Sequence, residues 1–101
     1  MNLQEMMRQA QKVKAQMEKV QEEVRKQSFE GSAGGGMVLV VANGKNEIVS
    51  VKIEKDVVNP DDMEMLQDLI VAATNQAIAR ATEAMQNAMS KVTGGLNIPG
   101  F

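Results

Sequence analysis

The chain of 101 residues has no cysteine, no histidine, no tryptophan and no tyrosine. Without cysteine there is no disulfide framework, no thiolate nucleophile and no thiolate metal site. Without histidine the commonest general base and the commonest transition-metal ligand are missing. Serine–histidine and cysteine–histidine catalysis is thereby excluded. Phe29 and Phe101 are the only aromatic residues. The stacking platforms that hold single-stranded nucleic acid or RNA are therefore lacking. Long apolar runs are lacking too. The longest, Met37 to Ala42, is far too short to span a bilayer. The opening MNLQEMMRQAQKVK has no apolar signal core. The expectation is a cytoplasmic protein with no membrane contact.

What is present is an ordinary globular balance, 44% hydrophobic and 24% charged, enough for one domain over residues 1–101. The core must be built from Met, Val, Ile, Leu and Ala, and nine methionines suit adaptable helix packing. The formal net charge is −2, which is not the usual footprint of a nucleic-acid binder. The distribution matters more than the sum. Residues 1–27 carry six basic and four acidic groups, and residues 28–101 carry five and nine. The first segment is the basic part of an acidic chain.

That segment is periodic. Leu3, Met6, Ala10, Val13, Met17, Val20 and Val24 recur at alternating steps of three and four, a heptad with apolar a and d positions. No glycine or proline interrupts it before Gly31. One helix of roughly 24 residues, about 36 Å long, is expected, with part of it projecting as an arm. The seam packs either on the other long helix of the chain or on a second copy, and both remain open.

Ser32-Ala33-Gly34-Gly35-Gly36 then breaks the helix. Met37–Val41 and Ile48–Ile53 are β-branched and strand-like. Asn43-Gly44 between them is a hairpin signal of the type I′ kind, with positive φ expected at Gly44. Phe29 to Ala33 can add a short edge strand. A second helix is expected to open with Asn59 as N-cap and Pro60 in the first helical position. Leu66, Ile70, Ala73, Ala77, Ala81, Ala84 and Ala88 give it a face of small residues that lets another backbone approach closely. Gly94 suits its C-terminal cap, and Leu96–Phe101 forms a short tail. The order is α-β-(β)-β-α.

Three features invite a chemical reading. The glycine run lacks the Gly-Lys-Ser/Thr ending of a phosphate loop and precedes a strand rather than a helix, so it reads as turn structure. Asp61, Asp62, Glu64 and Asp68 could hold a hard cation, but the dipole of the second helix accounts for most of them without a metal. No metal, cofactor or small-molecule substrate is expected. Basic residues of the first helix are more informative. Arg8, Lys12, Lys19 and Lys26 fall within about 40° of one another at 100° per residue, almost opposite the apolar seam, and span about 27 Å. That is most of a DNA helical turn, about 34 Å. Taken alone, the stripe is better explained as a solvated helix face, and Glu5 and Glu23 border it. Duplex phosphate contact, however, needs no aromatic residues.

In order and spacing the chain resembles the YbaB/EbfC family of bacterial nucleoid-associated proteins. The likeness runs through Gly34-Gly35-Gly36-Met37-Val38, Asn43-Gly44, Ile48–Ile53, Met65–Ala77 and Thr93-Gly94-Gly95-Leu96-Asn97-Ile98-Pro99-Gly100-Phe101. It implies a small two-layer α+β protein, α-β-β-β-α, with a three-stranded antiparallel sheet per subunit. It implies a tweezer-like homodimer with projecting helical arms and no enzymatic activity. It further implies double-stranded DNA as partner, a nucleoid location, and a role in chromosome organisation or gene regulation. If the two long helices pack antiparallel, Arg8 and Lys12 would lie near Lys91 at the arm's far end. The competing reading is a protein-interaction or chaperone-like module that uses its Met-rich amphipathic helices.

Overall fold

The computed structural model describes residues 2–95; Met1 and the tail, residues 96–101, lie outside the described residues. Helix α1 (Leu3–Arg25) leads into strands β1 (Ser28–Ala33), β2 (Val38–Asn43) and β3 (Ile48–Ile53). A short 3-10 turn (Lys55–Val57) then precedes helix α2 (Met63–Gly95). The strands form one antiparallel sheet in the order β1-β2-β3. The architecture is therefore α-β-β-β-α, and the edge strand suggested by Phe29 to Ala33 is a full sheet member.

The core lies where α2 crosses the sheet. Val38, Val40 and Ala42 alternate along β2 and are fully buried. They pack with Leu66, Ala73 and Ala77 of α2 and with Val57 of the 3-10 turn. Each buried valine contributes about 1.5–3 kcal/mol relative to exposure. The small-residue face of α2 does what its composition suggests. At Gly31 in β1 a Cβ would collide with the backbone carbonyl of Ala73 and sit 2.6 Å from the amide nitrogen of Ala77. Strand and helix meet there backbone to backbone.

The molecule is long, 70 × 22 × 16 Å, with a radius of gyration of 19.7 Å. A compact chain of this length would have a radius near 13 Å. The length comes from α2, whose 33 residues span about 50 Å. Its first half covers the sheet, and its second half runs alongside α1 as an arm. The apolar seam of α1 is buried only at the base, at Val24. It is half-buried at Val13, Met17 and Val20 and exposed at Leu3, Met6 and Ala10. The seam thus packs within the chain over its C-terminal half.

Three local expectations are corrected, and one element was not expected at all. Asn59 does not cap α2. Its side chain accepts the Asp61 amide and its carbonyl accepts the Asp62 amide, closing a turn before the helix. Asp62 instead accepts the Met65 amide at the helix start, and Pro60 lies in the turn. Gly94 is not a cap either, because α2 continues through Gly95. The Asn43-Gly44 turn is not type I′. Asn46 donates its amide to the Asn43 carbonyl and alone takes positive φ, 62°, among the non-glycine residues described. This is a three-residue loop ending in a left-handed residue. A bulge between Val41 and Ala42 in the pairing with β3 absorbs the change of register. Finally, the 3-10 turn that buries Val57 carries no periodic signal in the sequence.

Candidate nucleic-acid interface

Helix α1 starts where Asn2 accepts the Glu5 amide through its side chain, at 2.8 Å. That cap satisfies one of the orphan donors of the first turn and holds the far end of the arm helical. Arg8, Lys12 and Lys19 are all exposed along this helix. Arg8 and Lys12 are one turn apart, and Lys19 lies about 10 Å beyond Lys12 along the axis. Lys26 sits just past the helix as its C-terminal cap. Among the described residues the ion pairs are Arg25–Glu22 at 3.6 Å and Lys26–Glu22 at 3.9 Å. Lys26 is thus partly neutralised, at the body end of the stripe. Arg8, Lys12 and Lys19 have no such partner among the described residues.

The two helices of the arm run antiparallel and leave an open cleft of about 660 Å³ between them. Gln16, Lys19 and Val20 line one wall, and Ala84, Asn87 and Lys91 the other. Lys91 therefore stands opposite Lys19, not beside Arg8 and Lys12 as the sequence suggested. The reason is register. Counting outward from that level, Gly95 comes abreast of about Ala15, and the first turns of α1 run beyond it. Arg8 and Lys12 occupy this outermost part, with Leu3, Met6 and Met7 exposed beside them. Lys14 is a further exposed cation of the arm, off the stripe.

Charge is sorted along the long axis. The arm segments, residues 2–20 and 82–95, hold five basic and three acidic groups. Residues 21–81 hold six and ten. The acidic excess concentrates in residues 54–68, where Glu54, Asp56, Asp61, Asp62, Glu64 and Asp68 face one lysine, Lys55. Among the described residues no group of three or more acidic side chains is gathered closely enough to hold a metal ion. A polyanion approaching this molecule meets attraction at the arm and repulsion at the body.

This arrangement agrees with what the chain is similar to. The sequence profile of the YbaB/EbfC DNA-binding family matches residues 1–96. The chain belongs to that family. It is 60% identical over 101 residues to a nucleoid-associated protein of Clostridium novyi (strain NT), covering 100% of this chain and 89% of the relative. A nucleoid-associated protein of Thermoanaerobacter pseudethanolicus is 50% identical over 100 residues, covering 99% of this chain and 90% of the relative. The family is a DNA-binding one and not an enzyme family. A crystal structure of an uncharacterized protein from Helicobacter pylori superposes with a TM-score of 0.74 at 24% identity. The match covers 86% of this chain and 91% of that one, and shows that the fold is shared. No described helix is long and apolar enough to cross a membrane.

Proposed function

We propose that the protein is a single-domain, homodimeric nucleoid-associated protein of the cytoplasm. It binds double-stranded DNA with low sequence specificity and contributes to chromosome organisation and gene regulation. The observation that carries this reading is the placement of the unpaired cations. Arg8, Lys12 and Lys19 line the exposed face of a projecting helix, Lys91 joins them across the cleft, and the acidic groups lie on the body. Lys26 contributes less, because Glu22 accompanies it. Lysine and arginine on a helix face reach phosphate oxygens without reading bases.

Dimerisation is supported by the sheet. Helix α2 covers β1 and β2 but leaves β3 bare. Ile53, Val51 and Ile48 pair with the buried Val38, Val40 and Ala42, so they lie on the same face. They are nonetheless 37%, 45% and 41% exposed. Val58, Met63 and Met65 extend the apolar surface nearby in the chain. An exposed apolar edge strand needs a partner, and a two-fold axis lets a second β3 supply it. Two arms then project from one body.

A salt-titrated duplex-binding assay with a mass measurement on the same sample tests both parts. The expected result is a dimer whose affinity for unrelated duplexes falls steeply with salt. A second reading rests on Leu3, Met6 and Met7, exposed together at the arm's end. A protein-interaction module would use these residues, and its binding would survive high salt.

A further inference from the structure

A three-stranded sheet has two edges, and here they are treated differently. At the β1 edge, the Ser32 amide donates to Oε1 of Gln76 at 2.7 Å. The Glu30 carbonyl accepts from the Arg80 guanidinium, also at 2.7 Å. Both side chains come from α2, one helical turn apart. Four residues of helix rise about 6 Å, and two residues of strand about 6.7 Å. The two repeats match closely enough for successive α2 side chains to meet alternate β1 residues. Gly31, between the two, brings the helix backbone near enough for this. Among the described residues no side chain bonds to the backbone of β3 in the same way.

We infer that Gln76 and Arg80 are edge guards that confine strand pairing to β3. The inference rests on the proposed β3-mediated dimer. Pairing two β3 strands uses one edge of each sheet and leaves two β1 edges facing outward. Were those edges open, dimers could add to one another edge to edge and grow without closure. A strand approaching β1 must displace a charge-assisted hydrogen bond and an amide acceptor, then leave the guanidinium without its carbonyl. The surface thus guarded is one that a second copy of this chain would otherwise occupy.

The test compares the parent with Gln76→Ala/Arg80→Ala by sedimentation from micromolar to millimolar concentration, with circular dichroism of each. Glu83→Ala, an exposed change on the same helix, serves as control. The parent is expected to stay a dimer throughout. The double variant is expected to keep its helical spectrum while its mass rises beyond the dimer with concentration. A folded double variant that remains a dimer throughout overturns the inference and leaves the dimer standing. A parent with the mass of one chain overturns both. Amide exchange supplies the second measurement, through the single variant Gln76→Ala. The Ser32 amide should exchange roughly five- to tenfold faster than in the parent, the loss of one hydrogen bond. Unchanged exchange at Ser32 removes Gln76 as a guard even if the double variant does not fold.

Discussion

Gly44 lies against the carbonyl group of Val24. A methyl group on Gly44 would collide with that oxygen and sit 2.7 Å from the Cα of Arg25. The hairpin between β2 and β3 is thereby pressed onto the last turn of α1, where Val24 is buried. Space demands this glycine, not backbone angle, since the left-handed residue of the turn is Asn46.

The two demands can be separated by experiment. Gly44→Ala overpacks a contact between backbones and is expected to cost about 2–3 kcal/mol. Gly35→Ala sits at φ 68° with nothing within 4 Å and is expected to cost about 1–2 kcal/mol from backbone strain alone. Urea melts should rank Gly44→Ala as the more damaging. The reverse order would mean that α1 can shift away from the hairpin at little cost.

Gly31→Ala is expected to be worse than either. The obstacles are the backbones of Ala73 and Ala77 in the middle of α2, so relief requires moving the helix off the sheet. A loss of about 3 kcal/mol or more is expected, which lowers the melting temperature by about 12 °C or more in a domain of this size. A thermal melt of the variant checks it. A loss below about 1 kcal/mol would show that the strand–helix contact gives way easily.

These glycines show which parts of the fold were readable beforehand. The heptad of α1 and the alanine face of α2 are periodic signals and the β-branched run of β2 is a compositional one, and each produced the element it implies. Asn59, Gly44 and Gly94 were misplaced because cap and turn chemistry is degenerate. Asn59 and Asp62 both offer a capping oxygen, and only the path of the chain after the 3-10 turn selects Asp62. Gly31 carried no local signal, since its role exists only once Ala73 and Ala77 are opposite it. The basic stripe was visible as a helical face. Its pairing with Lys91 was not, because the relative register of two helices depends on how the sheet joins them. The cost to Lys26 of its Glu22 neighbour was in principle readable from their i,i+4 spacing.

The bare face of β3 makes the dimer testable by one residue. Val51 is 45% exposed in the single chain, so Val51→Lys should leave the subunit folded. In a two-fold pairing of β3 strands it would place two ammonium groups in the apolar contact. Dissociation should become easier by about 2–3 kcal/mol, roughly thirty- to two-hundredfold in the dimer constant. Sedimentation across a dilution series reads this directly. A dimer as tight as the parent's would place the interface elsewhere.

Charge reversal at the end of the arm tests the proposed DNA contact. Arg8, Lys12, Lys19, Lys26 and Lys91 occur twice in a dimer, which allows at most about ten phosphate contacts and a log–log salt slope no steeper than about −9. The Lys26–Glu22 pair lowers the number that engages. Replacing Arg8 and Lys12 by Glu should weaken binding to unrelated duplexes alike and flatten the slope by up to roughly four units. Folding should be nearly unchanged, because both side chains are exposed and lie opposite the apolar seam. Reversal of Lys26 alone should do less than reversal of Lys12 alone, since Lys26 is already accompanied by a carboxylate. Loss confined to one DNA sequence would mean that these side chains read bases. Undiminished binding would remove the stripe from the mechanism and return it to an ordinary solvated face. Gln11→Ala, exposed on the same helix, provides the control. Equal damage from that neutral change would report a packing defect in the arm rather than a lost phosphate contact.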